Sequence, residues 1–154
     1  MQVLKAPIKN ILLIDDDKDD CFVFEKALLE IHPSIKLKCL TESDEIFEEM
    51  AHQLPDLIFL DLNMPVKTGY DCLKELQEHT VYRKVPVIIY SGSDYILDIN
   101  VTYGLGATLY FTKPNTVPAL VNSLKQILDM AWARPTDITS DHFTGEGYVP
   151  FQLA

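Results

Sequence analysis

Asp61 stands at the end of an unbroken apolar run, Leu57-Ile58-Phe59-Leu60, and is followed by Leu62-Asn63-Met64-Pro65, with Gly69 soon after. A run with no polar alternation suits a strand covered on both faces, so its carboxylate emerges at the strand's C-terminal edge, where open α/β sheets bind ligands. Two further acids, Asp15 and Asp16, end a β-rich run from Ile8 to Ile14; Ser91 ends the run Pro86 to Tyr90, and Lys113 follows Ala107 to Phe111. Three carboxylates, a hydroxyl and an ammonium at four strand ends form a set suited to charge-stabilised group transfer. Carboxylates gathered at one rim repel each other and require a cation. Oxygen-only donors suit a hard ion such as Mg²⁺ better than zinc.

The elements that must position these groups alternate strand and helix. Helical spacing runs from Lys18 to Glu30 through Phe22, Phe24, Ala27 and Leu28, continuing to Ile31, and Pro33 ends it. Ile35 to Leu40 alternates like a strand, and Thr41-Glu42-Ser43-Asp44 leads into an amphipathic helix with Ile46, Phe47, Met50 and Ala51, closed by Pro55. After the strand ending at Leu60, a helix from about Gly69 places Tyr70, Leu73 and Leu76 on one face. Asp94 to Tyr103 forms a helix broken by Gly104 and Gly106, and Leu120 to Ala131 forms the last. Five strands alternating with five helices predict a parallel sheet with right-handed crossovers and helices on both faces.

Composition narrows the function classes. The chain has 154 residues, enough for one domain with a sizeable core, and no apolar stretch approaches a membrane span. Met1 to Pro7 lacks the apolar segment of a signal peptide, so a cytoplasmic location is the expectation. A formal net charge of -10 argues against a phosphate backbone as direct partner, and direct nucleic-acid binding is not expected. Cys21, Cys39 and Cys72 are odd in number and without a C-x-x-C pair, which favours reduced, structural thiols over a disulfide framework or a zinc site. Asp17, Asp19 and Asp20 are read as a solvated helix start that favours the dipole, and no histidine is given a role.

Ile14-Asp15-Asp16, then Asp61 with Asn63-Met64-Pro65 and Gly69, then Ser91-Gly92, then Tyr110 and Lys113-Pro114, in that order, closely resembles the receiver domain of two-component response regulators. The resemblance covers about residues 8 to 131. It implies a flavodoxin-like doubly wound sheet in the order 2-1-3-4-5. It implies Asp61 as phosphoacceptor, with Mg²⁺ held by Asp16, Asp61 and the backbone carbonyl of Asn63, and Asp15 assisting directly or through water. Ser91 and Lys113 would contact the phosphoryl group. Tyr110 would move inward once Ser91 is drawn to that group. Pro114, which the family uses to hold the lysine inward, is the candidate for a cis peptide. The implied partners are a sensor or hybrid histidine kinase, including the phytochrome type, or a phosphotransfer protein, and a downstream protein. The face of the fourth helix, fifth strand and fifth helix would carry the output and a homodimer contact.

On this reading residues 1–133 form the receiver domain and 134–154 a C-terminal tail too short for an output domain, which docks on the receiver or on a second subunit or stays disordered. Signalling rather than enzymatic turnover is expected. A haloacid-dehalogenase-like phosphatase would also use an aspartate nucleophile, Mg²⁺ and a lysine, but it needs an acid two residues after the nucleophile, where Asn63 stands. A binding module that ignores phosphorylation has no use for the acidic pair, Asp61 and Lys113. Flavin binding is disfavoured because no Ser/Thr-rich loop follows the first strand.

Overall fold

A computed structural model describes residues 7–154; residues 1–6, part of the segment read above for a signal peptide, lie outside it. Five strands form one parallel sheet: β1 (Asn10–Ile14), β2 (Lys36–Leu40), β3 (Leu57–Leu60), β4 (Val87–Ser91) and β5 (Leu109–Thr112), in the order β2-β1-β3-β4-β5. Between and after them lie α1 (Lys18–Ile31), α2 (Ile46–His52), α3 (Gly69–Glu78), α4 (Ile96–Gly104) and α5 (Val117–Leu128). The flavodoxin-like doubly wound fold is therefore present. Among the described residues no helix is long and apolar enough to cross a membrane.

Alternation along each strand divides the core into two layers. Ile11, Leu13, Phe59, Tyr90 and Phe111 face α1 and α5, packing on Phe24, Leu28, Leu120 and Leu124. Leu12, Ile14, Ile58, Leu60, Ile89 and Tyr110 face the other side, with Ile46, Met50, Leu73 and Leu76. All four residues of β3 are fully buried, which fits a central strand covered on both faces. β2 alternates exposed Lys36 and Lys38 with less exposed neighbours, as an edge strand should.

Helix ends follow their local chemistry. Asp17 caps α1 by accepting from the backbone N–H groups of Asp19 and Asp20. Thr68 and Asp71 form a capping box at α3. Thr116 caps α5 with Pro118 in its first turn, so this helix begins three residues before the predicted Leu120 and stops at Leu128.

Several expectations are corrected. Phe22 is 60% exposed, its ring under the Lys26 ammonium, because the buried face of α1 is drawn by Cys21, Phe24, Ala27 and Leu28. Cys21 of α1 and Cys39 of β2 are joined by a disulfide rather than reduced, since the helix crossing over the sheet brings their Cα atoms to 6.4 Å; Cys72 is a buried free thiol. A sixth helix, α6 (Pro135–Asp141), stands in the segment expected to be a tail. That segment is docked: Ile138 and Phe151 belong to the core on the α1 and α5 side, as does Trp132 just before it.

The loop after Asp61 holds one strained residue. Val66 has φ +67 and is fully exposed, and the N–H of Lys67 donates to the carbonyl of Pro65, closing a three-residue turn around it. A β-branched side chain is costly at positive φ. Val66→Asn is expected to raise stability by about 1 kcal/mol in denaturant titration; a loss would show that Val66 makes compensating contacts.

Candidate functional site

The parallel register brings the strand ends to one rim. Ile14 pairs with Leu60, and Ser91 with Thr112, so the residues that follow these positions leave the sheet side by side. Backbone bonds extend the ladder beyond the strands: Asp15 N–H donates to Leu40 O, Asp61 N–H to Ile14 O, and Lys113 N–H to Ser91 O. Strand pairing thus holds the backbones of Asp15, Asp61, Ser91 and Lys113.

Asp15 is fully buried and Asp61 is 6% exposed, whereas Asp16 faces solvent. One carboxylate oxygen from each of the three lies within 4.8 Å of the others. Lys113 Nζ stands 2.8 Å from Asp15 Oδ2, 2.7 Å from Asp20 Oδ2 and 3.9 Å from Asp61 Oδ2. Asp20 is thus not merely a solvated helix start: from the first turn of α1 it reaches back over the rim to the lysine.

The charge balance leaves room for a cation. Burial pushes the Asp61 carboxyl up to about 6; Lys113 opposes this, while Asp15 and Asp16 add to it. Burial also raises Asp15, against the lysine and a hydrogen bond from Asp17 N–H. For Lys113, burial works against the charge, but Asp15 and Asp20 outweigh it and hold the ammonium firmly protonated. Asp15 Oδ1 accepts from Asp17 N–H, while Oδ2 lacks a well-formed hydrogen bond despite the nearby ammonium. An under-satisfied buried carboxylate oxygen, two more carboxylates and no soft donor fit a hard divalent ion. Asp15, Asp16 and Asp61 would hold it. Asn63 is exposed, and its backbone N–H bonds to the Asp61 carboxylate.

Ser91 is fully buried, and its Oγ accepts from Ser93 N–H at 3.2 Å. Tyr110 is also fully buried, and its hydroxyl donates to the Ser93 carbonyl at 2.8 Å. The ring lies inside in this structure, where the β4–α4 loop offers a carbonyl to its hydroxyl. Ser93 Oγ in turn donates to Asp98 of α4, which also accepts from the Tyr70 hydroxyl. The cis expectation at Pro114 is corrected too, since the described residues contain no cis peptide. Trans is the ordinary preference before proline, and the bond of Lys113 N–H to Ser91 together with the carboxylates already directs the lysine inward.

Gly69 is required by the site itself. A Cβ there would lie 2.1 Å from the carbonyl oxygen of Asp61 and 2.7 Å from Cα of Leu62. Its N–H donates to Leu62 O, pinning the loop that leaves Asp61. Gly69→Ala is expected to cost about 2 kcal/mol in urea unfolding and to displace the backbone of Asp61; retention of full stability would contradict this close approach.

Sequence reasoning found the rim residues but read Asp20 only as part of a solvated helix start, without its contact to Lys113; the signal for that contact was its place four residues beyond Asp16.

Comparison with known proteins gives the same chemistry a context. The sequence pattern of the response regulator receiver domain matches residues 11–125. The chain is 31% identical over 127 residues to the 3',5'-cyclic-nucleotide phosphodiesterase regA of Dictyostelium discoideum, covering 81% of this chain but only 16% of that protein. It is 27% identical over 128 residues to response regulator Rcp1 of Synechocystis sp., covering 79% of this chain and 87% of Rcp1. A solved structure of Mn²⁺-bound Rcp1 superposes with a TM-score of 0.69, covering 77% of this chain and 91% of that one. The phosphorylated cyanobacterial phytochrome response regulator RcpA gives a TM-score of 0.73 at 27% identity, covering 81% of this chain and 94% of that one.

Proposed function

The chain belongs to the response regulator receiver domain family, and from that premise we propose that it is a phosphoacceptor switch. The single observation that carries this reading is the convergence of Asp15, Asp16 and Asp61 within 4.8 Å beside the Lys113 ammonium. A carboxylate oxygen of Asp61 attacks the phosphorus of a phosphohistidine. The P–O bond forms as the P–N bond breaks, and the electron pair stays on the imidazole nitrogen, which takes a proton from solvent. Mg²⁺, when bound by Asp15, Asp16 and Asp61 with the Asn63 carbonyl, would neutralise charge on the carboxylates and phosphoryl oxygens.

Lys113 pairs with a phosphoryl oxygen, and Ser91 donates its hydroxyl to another. Moving Ser91 Oγ disturbs its bond from Ser93 N–H, and through the Ser93 carbonyl it reaches Tyr110. The output is a biased two-state equilibrium read by a protein partner on the face of α4, β5 and α5. The donor is a sensor or hybrid histidine kinase or a phosphotransfer protein; the likeness to Rcp1 and RcpA favours the phytochrome type. Phosphotransfer profiling against the histidine kinases of the source organism tests this: rapid transfer from one kinase names the donor, and transfer from none overturns the reading.

A further inference from the structure

The face proposed for output is partly covered by the chain itself. After α6, residues 143–148 turn back on themselves, with Phe143 bridged to Tyr148 and the N–H of Thr144 donating to Gly147 O. The chain then runs along β5 as far as Phe151. Tyr148 stacks on Tyr103 of α4 with ring centroids 4.5 Å apart, and its N–H donates to Asn100 Oδ1 at 2.8 Å. Phe151 packs edge-on against Phe111 of β5 at 5.7 Å, and Ala154 exchanges two hydrogen bonds with the Gln126 side chain of α5. The segment therefore touches all three elements of the output face.

The Phe151 N–H and the Val149 carbonyl both lead to one residue. Phe151 N–H donates to the carbonyl of Tyr110 at 2.7 Å. The N–H of Tyr110 donates to the Tyr103 hydroxyl, which itself donates to Val149 O, both at 3.0 Å. Both backbone groups of Tyr110 are thus committed to holding residues 149–151, while its side-chain hydroxyl is committed to Ser93 beside the site. An unbroken series of hydrogen bonds leads from Ser91 Oγ through Ser93 and Tyr110 to Val149 and Phe151.

We propose that residues 143–154 are a built-in strap over the β5 edge and α4, held by Tyr110 in the unphosphorylated protein and loosened when the phosphoryl group on Asp61 draws Ser91 away from Ser93. The proposal rests on the phosphoacceptor reading of Asp61. The preceding part of the tail stays anchored, because Trp132 donates from its indole to Ile127 O and Thr139 Oγ1 donates to Thr108 O, neither of which involves Tyr110. The strap is the weaker part by construction: Phe143 is half exposed, and residues 144–146 are exposed. Segments with few buried apolar groups open first.

Amide hydrogen exchange on the full chain, with and without acetyl phosphate and Mg²⁺, tests the strap, while intact mass on the same samples measures phosphoryl uptake. Exchange over residues 148–151 should accelerate by about tenfold or more in the phosphorylated sample, with the sheet unchanged. Tyr103→Phe, which keeps the ring but removes the bridging hydroxyl, should accelerate the same segment without phosphoryl donor; Phe151→Ala provides the same release should that variant fail to fold. Full uptake with unchanged or slower exchange at 148–151 overturns the strap and leaves the phosphoacceptor reading intact. Absence of uptake overturns both.

Discussion

Asp61→Asn is expected to reduce phosphoryl uptake from acetyl phosphate to background while making the protein more stable. The amide fills the same volume but offers no anionic oxygen to attack phosphorus. Stability moves the other way because the wild-type carboxylate is held in a buried, acid-rich place where its pKa lies near 6, above the ordinary value of 3.8. A raised carboxyl pKa means that the folded state keeps a proton the unfolded state has lost, so the favourable contribution exists below about pH 4 and fades as pH rises through 6. At neutral pH, without a divalent ion, the ionised group costs about 3 kcal/mol, which the amide relieves. Denaturant titration at pH 7 without Mg²⁺ should show the gain, and the gap between variant and wild type should close toward pH 4. Lost uptake with raised stability separates a missing nucleophile from misfolding; undiminished phosphorylation of the variant would sink the assignment of Asp61. The wild-type protein should also take up phosphoryl groups faster as pH rises through about 6, with the divalent ion moving that rise to lower pH.

The rim was legible in the sequence because its geometry follows from few rules. Buried parallel strands end together, crossovers are right-handed, and a polar residue after each apolar run must therefore appear at the same edge. Asp15, Asp61, Ser91 and Lys113 needed nothing more. What was not legible depends on pairing across long stretches of chain. Asp20 reads as helix-cap chemistry until the fold brings Lys113, 93 residues later, to within 2.7 Å. Cys21 and Cys39 carry no pairing signal at a spacing of 18, and only the crossing of α1 over the sheet aligns them. The partner of the Tyr110 hydroxyl, a carbonyl of the β4–α4 loop 17 residues earlier, was likewise not legible. The tail was ambiguous for a related reason. Its aromatic residues are few and separated by Gly145, Gly147 and Pro150, and their partners Tyr103 and Phe111 are positions that periodicity alone assigns to the core.

Lys113→Met is expected to cause the largest loss of stability of any single change at the rim, and one that Mg²⁺ partly repairs. The methionine keeps much of the aliphatic stem that runs beside the Tyr90 ring, so packing is largely retained and charge is the main loss. Asp15, fully buried, is then left without its ammonium, as are Asp20 and Asp61. An uncompensated buried carboxylate costs about 3–5 kcal/mol. Removal of the lysine pushes the Asp15 and Asp61 carboxyls further upward, since it opposes burial at both. The deficit should therefore be complete at alkaline pH and shrink on acidification, as both groups take up protons in the folded state before the unfolded chain does. A divalent ion supplies the missing positive charge by another route. Because the vacated cluster is more negative, the variant should gain more stability per increment of Mg²⁺ than the wild type, by the ordinary linkage of binding to folding. Urea unfolding at pH 7.5 across a Mg²⁺ series checks both points. A loss below about 1 kcal/mol, or equal Mg²⁺ dependence in the two proteins, would mean that the lysine is not the counter-ion that makes this acidic rim tolerable.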